Sequence, residues 1–190
     1  ALHQLCDQLG PRLRRDEPLS RHTSFRIGGR ADYFVEADSI DDVRSAQRLA
    51  HLLAVPLWVL GGGTNVLVSD RGVRGVVLHL GRSLAFLEWQ PNGDGMRVAA
   101  GAALTFKKLV REAVARGLTG LEFAEGIPGS VGGGLLMNAG AFGGEISNVV
   151  DEIEGVAADG AIVRLPRSQL RFGYRNFDLP PGLIVTSVRF

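Results

Sequence analysis

Two glycine-rich segments contain the residues whose types and spacing most clearly suggest chemistry. Leu60-Gly61-Gly62-Gly63-Thr64-Asn65-Val66 follows a compact apolar run. Residues without a Cβ let the backbone turn sharply and bring its N–H groups close to a ligand. Consecutive amides aimed into one concavity bind anions, and Thr64 and Asn65 add a hydroxyl and an amide suited to a phosphate or a ribose. The chemistry this points to is recognition of a pyrophosphate. A tight turn closing a strand explains the same residues equally well, so this segment alone leaves both readings open. The second segment is Gly126-Ile127-Pro128-Gly129-Ser130-Val131-Gly132-Gly133-Gly134, which continues into Met137-Asn138-Ala139-Gly140-Ala141-Phe142-Gly143-Gly144. Apolar residues interleave its glycines, which argues against a flexible surface loop and for close backbone approach to a flat ligand. The first loop lacks the third glycine of the Rossmann fingerprint, and no Gly-Lys-Ser or Gly-Lys-Thr phosphate loop occurs. A Rossmann dehydrogenase and a P-loop NTPase are therefore disfavoured.

Other reactive side chains carry less. His3, His22, His51 and His79 have no metal-ligand spacing, so hydrogen-bonded or solvated roles are expected and no metal site. Cys6 is the only cysteine, which rules out an intrachain disulfide and fits a reducing compartment. Asp151, Glu152 and Glu154 alternate with apolar residues, as on the solvated face of a strand. Glu122 and Glu125 flank Phe123 just before the second glycine segment, where either could touch a ribose or cap a turn.

Composition narrows the class. A net charge of +1 with scattered arginines gives no basic patch for a nucleic acid. No apolar run is long enough to span a bilayer, and no basic segment leads into a signal core, so a cytoplasmic protein is expected. Glycine makes up 26 of the 190 residues, about twice the usual share of roughly 7%. Its clustering excludes a linker as the main cause.

The elements that must position these loops follow from periodicity. Residues 32–37 read as a strand, and Ser39 caps a helix carrying Val43, Ala46, Leu49, Ala50 and Leu53. Residues 55–60 and 73–80 are further apolar strands, which gives a β-α-β-loop-β unit over residues 1–80. Residues 81–95 lapse into a polar stretch ending in a turn at Pro91-Asn92-Gly93-Asp94-Gly95. Residues 96–100 resume as a strand, and Thr105 caps a helix that Gly117 stops. Residues 149–156, 161–165 and 183–190 have the pattern of antiparallel strands. A second, α+β unit is thus expected over residues 81–190. The chain begins at Ala1 without a methionine and ends within a strand pattern, as a fragment would.

Several motifs together resemble a known family. His22-Thr23-Ser24-Phe25-Arg26-Ile27-Gly28-Gly29, residues 59–68, Gly-Ile-Pro-Gly-Ser-Val-Gly-Gly from Gly126, Asn138-Ala139-Gly140-Ala141-Phe142-Gly143 and Phe172-Gly173-Tyr174-Arg175-Asn176 occur in the order seen in the UDP-N-acetylenolpyruvoylglucosamine reductases, the MurB family. The resemblance covers essentially the whole chain, and Gly143-Gly144-Glu145 is similar to the shorter, type II branch. It implies an α+β, two-subdomain FAD-binding fold of the vanillyl-alcohol-oxidase type. Gly61, Gly62, Gly63, Thr64, Asn65 and Val66 would cradle the pyrophosphate of FAD. Gly126, Ile127, Pro128, Gly129, Ser130, Val131 and Gly132 would line the other side, with Asn138, Ala139 and Gly140 passing near the flavin.

The implied reaction uses NADPH to reduce FAD, which then reduces UDP-N-acetylglucosamine enolpyruvate to UDP-N-acetylmuramate for peptidoglycan synthesis. Arg175 matches the family's catalytic arginine. Tyr174 beside it would be an active-site contact, although residues alternating along a strand face opposite sides. The family's serine proton donor and its partner glutamate belong to a C-terminal substrate domain. That domain is expected to be missing here, leaving a flavin-binding chain without efficient turnover. A non-catalytic nucleotide-binding module on the same scaffold is the alternative. The expected partner is a small nucleotide sugar, with the chain monomeric or weakly self-associating.

Overall fold

The computed structural model describes residues 2–190. They fall into two compact units, the first ending at Gly81 and the second beginning at Arg82.

The first unit opens with helix α1 (Leu2–Leu9), which buries Leu5 and Leu9. Four strands follow: β1 (Leu13–Pro18), β2 (Arg30–Ala37), β3 (Leu57–Leu60) and β4 (Val73–Leu80). They form one sheet in the order β1-β2-β4-β3, with β1 antiparallel to β2 and the other pairings parallel. Between β2 and β3 lies helix α2 (Ile40–Leu53), which packs on β2, β4 and α1. Its start was legible in the sequence, since the Ser39 side chain accepts a hydrogen bond from the Asp42 amide at 3.1 Å. Strand β4 is flanked on both sides, and its Val76-Val77-Leu78 run is buried, as a central parallel strand requires. Leu19, Ala31, Phe34, Leu60 and Val77 form one core cluster that places the end of β3.

The second unit is built on β5 (Leu87–Asn92), β6 (Gly95–Gly101), β9 (Glu152–Val156), β10 (Ile162–Pro166) and β13 (Ile184–Arg189). These make an antiparallel sheet in the order β10-β9-β13-β6-β5. Between β6 and β9 come helix α3 (Phe106–Ala115), helix α4 (Val131–Leu136) and the small hairpin β7 (Gly140–Ala141) and β8 (Gly144–Glu145). A second hairpin, β11 (Phe172–Gly173) and β12 (Asn176–Phe177), precedes β13. Thr105 caps α3 through the Lys108 amide at 3.3 Å, and Gly117 leaves the helix at φ +68°.

Four sequence expectations change. The polar stretch before Gly95 contains β5, because alternate residues of an edge strand need little burial. The second glycine segment is a loop only as far as Gly129. Ser130 then caps α4, accepting from the Gly133 amide at 3.3 Å. Its helical glycines allow close packing: a Cβ on Gly132 would lie 2.9 Å from the Ala102 Cβ, and one on Gly134 would lie 2.1 Å from the Phe106 ring. Tyr174 and Arg175 do not alternate along a strand but form the turn of the β11–β12 hairpin, with Arg175 at φ +52°. The acidic group around β9 is also less solvent-directed than its pattern implies. Asp151 pairs with Arg97 at 2.8 Å, Glu154 with Arg164 at 2.7 Å, and Glu152 with Arg189. Among the described residues, no helix is long and apolar enough to cross a membrane.

Candidate functional site

The first glycine loop leaves the C-terminal end of β3, the end of parallel strands at which open α/β sheets bind ligands. Gly63 turns it at φ +64°. A preceding segment braces it: the Gly63 carbonyl accepts from the Ser24 amide at 2.9 Å, and the His22 carbonyl lies against the Gly63 α-carbon. Gly63 is buried in the loop, whereas Gly62, Asn65 and Val66 are exposed. The N–H groups of Gly62, Gly63, Thr64, Asn65 and Val66 donate no hydrogen bond among the described residues, and the Thr64 and Asn65 side chains make none. Five successive donors, flanked by a hydroxyl and an amide and without an acidic side chain in the loop, fit a pyrophosphate.

The brace has its own electrostatics. His22 stacks on Phe34 with ring centroids 4.2 Å apart, and its Nε2 lies 2.9 Å from the buried Glu17 carboxylate, which Arg14 also approaches at 3.3 Å. Burial pushes the Glu17 carboxyl up. The His22 hydrogen bond and the charges of Arg14, His22 and Arg21 outweigh it and hold the group below its usual range. Sequence reasoning missed Glu17, because it sits in the charged run Leu13-Arg14-Arg15-Asp16-Glu17-Pro18, which reads as surface.

A folded pKa below the unfolded one adds stability above the unfolded value, near 4.3 for glutamate, and that stability is lost as pH falls through the folded value. Glu17→Gln should therefore lower the unfolding free energy at neutral pH by roughly 1–3 kcal/mol. In urea titrations the gap from wild type should close below about pH 4, and a gap independent of pH would rule the pairing out. His79 acts with the same sign. Burial, partly opposed by Glu36, holds it below its ordinary value, so its contribution is lost as pH falls below about 6.5.

In the second unit the open donors are fewer. Gly126 and Gly129 have φ of +79° and +102°. Their amides and that of Ser130 donate no hydrogen bond among the described residues. Pro128 between them supplies no N–H but stiffens the turn. The amides of Ile127, Val131 and Gly132 are already bonded, to the carbonyls of Ala124, Leu104 and Ala102. Gly126 and Pro128 are exposed and Ile127 is half-buried, whereas Ser130 and Val131 are buried.

Asn138 follows α4 at φ +42° and is 6% exposed. Its Nδ2 donates to the Gly173 carbonyl at 3.2 Å, and its Oδ1 accepts from the Ser147 amide at 3.0 Å. Ala139 leads into β7, which Gly140 begins, and a Cβ on Gly140 would lie 2.4 Å from the Gly144 carbonyl. Tyr174 is 93% exposed and Arg175 is also exposed. Glu122 caps a turn by accepting from the Gly120 amide at 2.8 Å. Ser187 lies in β13, paired with Gly101 and Glu154.

Comparison with known proteins now gives these loops a class. A family model described as an FAD binding domain matches residues 31–166, and the chain belongs to that family. Its particular resemblance is to UDP-N-acetylenolpyruvoylglucosamine reductases, as the motifs implied. It is 47% identical over 165 residues to UDP-N-acetylenolpyruvoylglucosamine reductase 2 of Symbiobacterium thermophilum, covering 87% of this chain and 52% of that protein. The crystal structure of the Thermus caldophilus reductase (MurB) superposes with a TM-score of 0.77 at 35% identity, covering 93% of this chain and 60% of that one. A VAO-type flavoprotein of Myceliophthora thermophila shares the fold, with a TM-score of 0.61 at 17% identity over 84% of this chain and 31% of that one. The vanillyl-alcohol-oxidase type of fold expected from the motifs is thus borne out. The chain spans about half the length of the curated relatives it matches.

Proposed function

We propose that this chain is the flavin-binding part of an NADPH-dependent reductase that converts UDP-N-acetylglucosamine enolpyruvate to UDP-N-acetylmuramate in the cytoplasm. The observation that carries the reading is the run of five unbonded amides at the end of β3, in a chain of the FAD binding domain family. Gly62, Gly63, Thr64, Asn65 and Val66 would hold the pyrophosphate of FAD, with Gly61 setting the loop's entry; within the second unit, Gly126, Gly129 and Ser130 are the amides without a protein partner. FAD, when bound, supplies hydride transfer from NADPH to the enolpyruvyl carbon. Arg175 binds the substrate carboxylate bidentately and stays charged as negative charge develops toward it, which is the kind of stabilisation that lowers such a barrier by roughly 3–4 kcal/mol. Tyr174 contacts the substrate beside it. The left-handed conformation of Arg175 is a strain of the kind that persists at functional sites.

The test is direct. The purified chain should be yellow, or should quench the fluorescence of added FAD with a saturating titration. A colourless protein that leaves FAD fluorescence unchanged sinks the reading. Steady-state NADPH oxidation with the enolpyruvyl substrate then separates a complete catalyst from a flavin-binding part.

A further inference from the structure

We propose that Asn138 is a positioning residue, whose side-chain amide sets the Tyr174–Arg175 turn, and that it does not contact the cofactor. The functional importance of that turn rests on the reading proposed above. The hydrogen bonds do not.

The β11–β12 hairpin has only two paired positions, Phe172 with Phe177 and Gly173 with Asn176. A ladder that short does not hold its own geometry in water. Its base is anchored: the Phe172 and Phe177 rings stack at 4.7 Å, Phe177 is buried, the Arg167 guanidinium lies 5.2 Å over Phe172, and the Asp178 amide donates to the Arg171 carbonyl at 2.9 Å. Towards the tip these contacts stop. The Tyr174 and Arg175 side chains make no hydrogen bond or ion pair among the described residues. The peptide carbonyl that leads into the turn belongs to Gly173, and Asn138 Nδ2 holds it at 3.2 Å.

The other end of the same amide accepts from the Ser147 N–H at 3.0 Å, so both ends already hold backbone partners. The position demands this residue type. One partner is an acceptor and the other a donor, which an amide side chain satisfies at once and a carboxylate does not. Asparagine is also the side chain that best tolerates the left-handed backbone found here.

The experiment uses Asn138→Asp and Asn138→Gly in the full chain, read by amide hydrogen exchange. At neutral pH the aspartate keeps the acceptor for Ser147 but loses the donor to Gly173. Exchange at Asn176 and Asp178 should then rise roughly ten-fold, the loss of one part-buried hydrogen bond, with the Ser147 amide and those of β9 and β13 unchanged. Lowering the pH restores an O–H donor on the protonated aspartate, so hairpin protection should return once intrinsic exchange rates are corrected. The charged groups around position 138 are Glu145, within hydrogen-bonding reach of Asn138, and Arg167, which donates to the Ser147 carbonyl at 3.1 Å. Both persist in wild type and in the glycine variant. Those two proteins should show no such pH step, and the glycine variant should lose Ser147 protection as well.

Unchanged hairpin exchange in the aspartate variant at neutral pH overturns the proposal, as does a pH step shared with wild type. FAD titration closes the test. Both variants should bind FAD within about three-fold of wild type, and weakening beyond ten-fold would mean direct cofactor contact. If wild type itself binds no FAD, the functional reading fails while the exchange result still decides the role of Asn138.

Discussion

Replacing Gly63 by alanine is expected to abolish measurable FAD binding and to destabilise the first unit by about 3 kcal/mol or more. Two costs add. At φ +64° an alanine pays about 1–2 kcal/mol for the left-handed conformation alone. Its Cβ would also lie 2.0 Å from the His22 carbonyl oxygen and 3.1 Å from the Thr23 α-carbon, both backbone atoms that no rotamer change can move. Relief would require separating the loop from residues 22–24. That breaks the Ser24–Gly63 hydrogen bond and displaces Thr23, which is buried with its hydroxyl donating to the Ile27 carbonyl at 2.9 Å. The loop that carries the open amides would then shift. Urea unfolding and FAD titration check this together, and a variant with wild-type midpoint and affinity would falsify the proposed brace.

Gly134→Ala is expected to cost the second unit about 2–3 kcal/mol through overpacking. Its Cβ would lie 2.1 Å from Phe106 Cε2 and 2.6 Å from Cζ, with Ile146 Cδ1 at 3.3 Å behind. Phe106 and Ile146 are both fully buried, so the ring has nowhere to turn. Helix α4 cannot slide away, because the amides of Val131 and Gly132 tie its start to Leu104 and Ala102. Here the obstructing atoms belong to a side chain, so the defect should be curable. Phe106→Leu in the same chain should recover more than half of the loss, giving a strongly favourable coupling in a double-mutant cycle. If the two losses simply add, the clash is not the cause.

The two glycines show why the sequence was read correctly in some places and not in others. Helices α2 and α3 were legible because Ser39 and Thr105 cap amphipathic runs whose periodicity is local. Helix α4 was not, since Val131-Gly132-Gly133-Gly134-Leu135-Leu136 has the composition of a loop. Its helicity comes from packing against Ala102 and Phe106, far away in sequence. Strand β1 was missed for a related reason. Its charges are balanced by partners on other elements, Arg14 with Glu36 and Glu17 with His22, and no single stretch reveals that. At the site, the first glycine loop lay where the strand pattern put it, whereas the turn at Tyr174 and Arg175 read as strand. A left-handed arginine has no local signature.

The strand order of the second unit also constrains how it can be made. Hairpin β5–β6 and hairpin β9–β10 share no edge, and each joins the sheet only through β13, the last strand of the unit in sequence. On a ribosome adding about 5–20 residues per second, both hairpins emerge and wait with an edge unsatisfied until residues 184–189 clear the exit tunnel. The first unit has no such dependence, since all four of its strands lie before Gly81. Its first glycine loop is therefore complete while much of the chain is still being synthesised. A nascent chain stalled before β13 should present a folded first unit and two dangling hairpins, the form most exposed to strand-pairing aggregation.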